Sequence, residues 1–186
     1  MEYFAAIPLK DGRTCIIRNG TGLDAQGVLD NFVLNHAQTD FLTTYPDEVS
    51  FTLEQEAKYL QKKAESPNEV ELVAEVDGRI VGQAGIEALG RKDKVKHRAD
   101  FGISIDEAYW GLGIGRALTR ACIKLAKQAS YLQLELQAVA DNAHALALYE
   151  SEGFREYGRN PRGFCSRYTG WQTLVLMRRE LEGGIL

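Results

Sequence analysis

Residues 99–154 read ADFGISIDEAYWGLGIGRALTRACIKLAKQASYLQLELQAVADNAHALALYESEGF. Phe101 to Ile105 is apolar enough for a central strand. Gly111, Gly113 and Gly115 then mark a turn, after which Ile114, Leu118, Ala121, Cys122 and Leu125 recur at helical spacing. Leu132, Leu134, Leu136 and Ala138 alternate as strand residues do. Asn142 stands where it would cap a further helix carrying Leu146, Leu148 and Tyr149, and Gly153 suits the left-handed position past that helix's end.

Working outward, Thr14 to Arg18 reads as a strand, and Asn19-Gly20 and Thr21-Gly22 end it. A helix begins near Asp24, with Val28, Leu29, Phe32 and Val33 expected on one face. A second starts at Thr52, whose partner three residues on, Gln55, completes a capping box. Val70, Leu72, Ala74 and Val76 alternate up to Asp77-Gly78, a pair that tolerates the positive φ angles of a tight hairpin, and Arg79-Ile80-Val81 resumes as strand. The basic run Arg91 to Arg98 reads as a solvated loop or strand end. Phe154 to Gly158 and Trp171 to Arg178 supply the last strands. No repeat, low-complexity tract or linker divides the chain, so a single domain over residues 1–186 is expected.

Composition agrees with an ordinary globular domain: 45% hydrophobic and 26% charged residues. A net charge of -4 gives no electrostatic reason to expect nucleic acid as a partner. No run approaches the roughly 18 apolar residues of a membrane span, and no secretory leader is legible. Cys15, Cys122 and Cys165 show no paired spacing, which argues against a zinc site or a disulfide framework and points to a reducing cytoplasm. No cluster of metal ligands stands out, and Cys122 reads as core. His36 reads as a helix-surface residue and His144 as part of a first helical turn.

The glycine turn from Trp110 to Arg116 has a chemical reading. Without side chains, backbone N–H groups can approach an anion at the positive end of a helix, and Arg116 can add a charge-assisted contact. A turn whose glycines serve only packing would look the same. The spacing is Gly-x-Gly-x-Gly, unlike the dinucleotide fingerprint, and no Lys-Ser or Lys-Thr completes a nucleoside-triphosphate loop.

Asp100 to Leu118, followed by Asp141 to Phe154, resembles the GNAT superfamily of acyl-CoA-dependent N-acyltransferases. The resemblance implies an α+β fold: a mixed, mostly antiparallel sheet with helices on both faces, whose fourth and fifth strands splay apart to admit the pantetheine arm. It places Ile103, Ser104 and Ile105 beside that arm through main-chain groups. It also places Gly111, Leu112, Gly113, Ile114, Gly115 and Arg116 around the pyrophosphate, Asn142 in contact with the coenzyme, and Tyr149 near the thioester sulfur. One departure is visible: the turn usually opens with arginine or glutamine, and here with Trp110. Backbone donors do most of the work in such a cradle, so binding is still expected.

The reaction implied is direct transfer of an acetyl group from acetyl-CoA, with no metal, to a primary amine of a small molecule or a protein N-terminus. Tyr149 is the expected general acid, its phenol able to orient and protonate the leaving sulfur. The base is less determined. Ribosomal-protein alanine acetyltransferases place glutamate five residues before the asparagine, where this chain has Gln137. Glu135, on the same strand face by period two, is the candidate base acting through water. Glu87, His97 and Asp100 lie on or near neighbouring strands. Asp40, Asp47 and Glu48, close to Phe41 and Tyr45, can attract a cationic amine or form a solvated loop. A non-catalytic acyl-CoA sensor is the alternative, motivated by Gln137. Relatives often dimerise, but no self-complementary interface is legible.

Overall fold

A computed structural model describes residues 1–48 and 51–181. One sheet runs in the order β1 (Phe4–Pro8), β2 (Thr14–Asn19), β3 (Val70–Val76), β4 (Arg79–Ala88), β5 (Arg98–Ile105), β6 (Gln133–Val139), β8 (Gly170–Glu180), β7 (Arg155–Ser166). Only the β5–β6 pair is parallel among the described strands. The helices are α1 (Ala25–Gln38), α2 (Leu53–Glu65), α3 (Ile114–Gln128) and α4 (Ala143–Ser151). This is the mixed α+β sheet with helices on both faces that the resemblance implied.

Local chemistry sets several boundaries where they were expected. Thr52 Oγ1 accepts from Gln55 N at 3.2 Å while Gln55 Oε1 accepts from Thr52 N at 2.8 Å, closing the capping box of α2. Asp77 and Gly78 both take positive φ, 52° and 77°, as the β3–β4 hairpin turn requires.

Alternation along β5 separates the two faces of the sheet. Ser104 faces α1, where its hydroxyl accepts from Asn35 Nδ2 at 3.1 Å. Phe101 faces the other way, its ring edge-on to Tyr149 of α4 and stacked on Phe154. Fully buried Leu118, Leu125, Leu134 and Phe154 join the strands' apolar residues in the larger core cluster under α3 and α4. Each such side chain contributes roughly 1.5–3 kcal/mol of burial free energy.

Several expectations need correction. β1 lay outside the expected strands, and because it adds one to the count, the splay falls between β5 and β6. Val33 is 42% exposed, whereas Asn31, Asn35 and His36 of α1 are buried. His36 is therefore not a surface residue: its ring stacks on Phe32 and Nδ1 donates to the Phe32 carbonyl at 2.7 Å. A buried helix face can carry polar residues that bond one another, as Asn35 Nδ2 does to Asn31 Oδ1 at 3.0 Å, and apolar periodicity does not report it. β7 and β8 extend beyond the expected runs, because pairing along a hairpin with two register shifts carries polar stretches that have no strand signal of their own.

Candidate active site

The β5–β6 ladder holds for three rungs, Arg98 with Gln133, Ala99 with Leu134 and Asp100 with Glu135, and then stops. Beyond Asp100 the edge of β5 that faces β6 has no ladder partner, so the stretch from Phe101 offers main-chain groups to anything inserted there, the Ile105 carbonyl excepted. The end of β5 is fixed from outside. Asp106, 2% exposed, binds Arg79 Nη2 at 2.9 Å and Gln38 Nε2 at 3.0 Å, and Trp110 Nε1 donates to the Ile105 carbonyl at 2.8 Å. Trp110 thus uses the residue that departs from the usual turn to tie the turn to the strand.

The turn then delivers the start of α3 to the open end of the cleft. Gly111 and Gly113 have φ of 75° and 107°, and a Cβ on either would meet nothing within 4 Å, so backbone conformation demands them. Gly115 differs: a Cβ there would lie 3.3 Å from both Ile105 Cδ1 and Leu148 Cδ2, so its absence lets α3 approach β5 and α4. The first N–H groups of a helix have no partner within it, which suits them to a pyrophosphate. Arg116 is half exposed and already shared, with Nη1 3.3 Å from Glu152 Oε1, whose other oxygen takes Arg120 Nε at 2.9 Å. Asn142 caps α4 by accepting from Ala145 N at 3.2 Å through Oδ1, which leaves its amide nitrogen as the group available for a ligand.

Tyr149 stands on the other wall at the level where the strands part, packed against Phe101 and Phe154 at ring-centroid distances of 6.2 and 6.0 Å. It is 8% exposed, and burial pushes its phenol up to about 12. It is therefore fully protonated at neutral pH and available as a donor.

The carboxylates sort themselves by their partners. Glu135 is clasped by Arg98, through Nε to Oε1 and Nη2 to Oε2, and Tyr157 Oη adds a contact at 3.3 Å. These partners hold its carboxyl below the ordinary range, which makes it a weak base. Glu87 is likewise lowered, bound by Lys63 Nζ at 2.6 Å and Tyr59 Oη at 3.0 Å. Asp100, beside Glu135 on the α1 face, goes the other way. The residue keeps an exposed surface, but desolvation by the protein around its carboxyl, with the like charges of Glu135 and Glu87, raises it to about 6.

The loop acids are engaged by their own chain. Asp40 accepts from Ser166 Oγ at 2.5 Å and Gln172 Nε2 at 3.1 Å; Asp47 and Glu48 bind Arg167, whose guanidinium lies 4.2 Å from the Tyr45 ring centroid. They clamp the β7–β8 hairpin to the loop after α1 instead of standing free for an amine.

A cavity of about 420 Å³ lies between α1, α2 and the sheet. Phe32, Phe51 and Tyr59 give it aromatic walls, and Glu56, Glu71 and Gln83 line it as well. Burial raises Glu56, and raises Glu71 to about 8. The sequence reading passed over both acids. The signal was Val73, fully buried on the strand face that carries Glu71 and Glu75: an apolar residue there means that this face is covered too. Because Glu71 titrates higher in the folded chain than unfolded, the folded form holds an extra proton between the ordinary carboxyl range and about pH 8. Stability therefore falls as pH rises across that window. Glu71→Gln should remove that part of the decline, giving a melting temperature above wild type at pH 8 and a smaller difference at pH 5. Parallel melts at both pH values test this, and an equal change at both would refute it.

The family model described as acetyltransferase (GNAT) family matches residues 31–154, well over half of the chain. The chain is 38% identical over 113 residues to the N-alpha-acetyltransferase RimI of Mycobacterium tuberculosis, covering 61% of this chain and 68% of that protein. Matches to two other curated relatives cover 60% and 27% of their lengths. The crystal structure of an acetyltransferase of GNAT family from Streptococcus pneumoniae superposes with a TM-score of 0.84 at 28% identity, covering 89% of this chain and 99% of that one. In fold alone, the Salmonella typhimurium protein yncA, solved with its cofactor acetyl-CoA, is similar at a TM-score of 0.79 and 18% identity, covering 91% and 95% of the two chains.

Proposed function

The chain belongs to the acetyltransferase (GNAT) family, and we propose that it carries the acetyl group of acetyl-CoA directly to a primary amine in a ternary complex. The observation that carries this reading is the early end of the β5–β6 ladder, with a buried phenol on one wall, an elevated carboxyl on the other and a helix start at its mouth.

The groups present fit an extended thioester of this kind. Backbone donors from Gly111 to Arg116 hold the pyrophosphate. The free edge of β5 at Ile103, Ser104 and Ile105 takes the pantetheine amides as an added strand, and the Asn142 amide nitrogen steadies the arm. Bound there, the thioester supplies an activated acyl carbon at the level of Tyr149. Asp100 is the base of choice, because at about 6 it is ionised at neutral pH yet close enough to the working range to accept a proton usefully. Glu135, held by Arg98, orients the rung beside it and adds negative charge. The nitrogen of the neutral amine forms the amide bond, the carbon–sulfur bond breaks, Asp100 takes the amine proton and Tyr149 donates to the departing sulfur.

Two measurements test this. Thiol release from acetyl-CoA over a panel of primary amines should show turnover dependent on both substrates; coenzyme binding without turnover on any amine would instead support the sensor reading. In wild type, kcat should rise with pH through an apparent pKa near 6. In Asp100→Asn that limb should disappear and kcat should fall about 100-fold. An unchanged profile would remove Asp100 from the chemistry.

A further inference from the structure

The cavity between α1, α2 and the sheet contains carboxylates that the chain leaves without a close partner. Glu56 is 6% exposed and lines the cavity, and no hydrogen bond offsets the burial of Glu56 or Glu71 among the described residues. Lys63, the cation acting on Glu71 from a distance, is taken by Glu69 at 3.1 Å and Glu87 at 2.6 Å. Gln83 adds a buried Oε1 that no described residue satisfies. Buried acids and an orphan carbonyl oxygen between aromatic rings are costly in an empty protein and complementary to an organic cation, which they can meet by charge, hydrogen bonding and ring-face attraction.

The position of the cavity says what that cation belongs to. Glu71 on β3 opposes Gly85 on β4, and Gly85 opposes Gly102 on β5, the strand that borders the cleft. The Glu71 carboxylate lies over Gly85, where any side chain would collide with it, and a Cβ on Gly102 would meet nothing within 4 Å. The floor from the acids to the cleft is therefore bare main chain, and crossing from β3 to β5 takes two strand spacings, about 10 Å. That is too far for the reacting nitrogen itself to sit at Glu71.

We infer that the acceptor is a small organic dication: one amine reaches the cleft beside Asp100 while a second ammonium group is held by Glu56 and Glu71 in the aromatic cavity. The assignment of the near amine rests on the acetyl-transfer reading above; the assignment of the cavity rests on its own charge and shape.

Calorimetry on the coenzyme A-saturated protein, titrated with 1,7-diaminoheptane and separately with heptylamine, tests this. The diamine should bind at least ten-fold more tightly. In Glu56→Gln/Glu71→Gln the two affinities should converge, with coenzyme A affinity unchanged and a cooperative melt retained at or above the wild-type midpoint. Replacing these acids by neutral isosteres keeps their shape and removes the cost of ionising them away from water, so the double variant is expected to fold. Equal affinities in wild type, or a preference that survives in the double variant, overturn the inference. A kinetic arm separates it from the reaction itself. A binding preference without acetylation of either amine leaves the cavity assignment standing and removes the transfer reading; acetylation of both with equal kcat/KM and equal affinity does the reverse.

Discussion

Tyr149→Phe should lower kcat by about 100-fold or more, the loss typical of removing a positioned proton donor, while leaving the affinity for acetyl-CoA and the melting temperature close to wild type. The substitution keeps the ring that packs against Phe101 and Phe154, and the hydroxyl it removes has no hydrogen-bond partner among the described residues. Stability should therefore be nearly untouched, and the effect should fall on the chemistry. A phenol held at about 12 stays loaded but gives its proton up reluctantly. Against an ordinary thiol near 8.5, complete transfer would be uphill by roughly 5 kcal/mol. Its main contribution is then a hydrogen bond to the sulfur as negative charge grows there, with protonation completed as the product thiol meets water. Steady-state kinetics with calorimetric coenzyme binding checks this, and an undiminished kcat would exclude the phenol from the reaction.

Phe154→Ala should be the most damaging substitution for stability. Phe154 is fully buried, stacked on Phe101 and edge-on to Tyr149, so its removal opens a cavity beneath both rings. The cost of such a truncation is about 3–5 kcal/mol, a large share of a domain stability of about 5–15 kcal/mol. For a chain of this size that corresponds to a melting temperature lower by roughly 6–20 °C. Activity measured well below the new transition should fall as well, because Tyr149 loses the ring that fixes its side chain. A shift below about 3 °C would mean that the surrounding residues collapse into the space.

Legibility differed sharply between the two sides of the sheet. On the α3 and α4 side, the glycine turn, the α3 periodicity, the Asn142 cap and Gly153 are local devices. Each is specified by residues a few positions apart, and each forms as the sequence indicates. On the α1 and α2 side the signals are long-range. The burial of Asn31, Asn35 and His36, the pairing of Arg167 with Asp47 and Glu48, and the clasp of Arg98 on Glu135 each join residues or surfaces whose meeting depends on the completed sheet. Along the chain Glu135 stood ahead of Asp100 as the candidate base; a guanidinium against the first, and desolvation with like charges around the second, drive their carboxyls in opposite directions.

The sequence by itself determined the order of elements, the glycine turn and the place of Tyr149 behind the second strand of the pair, because caps, turns and amphipathic periods are written within a few residues of where they act. Only the tertiary structure decided where the β5–β6 ladder ends, which carboxylates are spent on ion pairs and which are not, and that two acids without a hydrogen-bond partner among the described residues line an aromatic cavity. Those properties depend on dielectric surroundings and on partners many residues away, and a one-dimensional pattern carries neither.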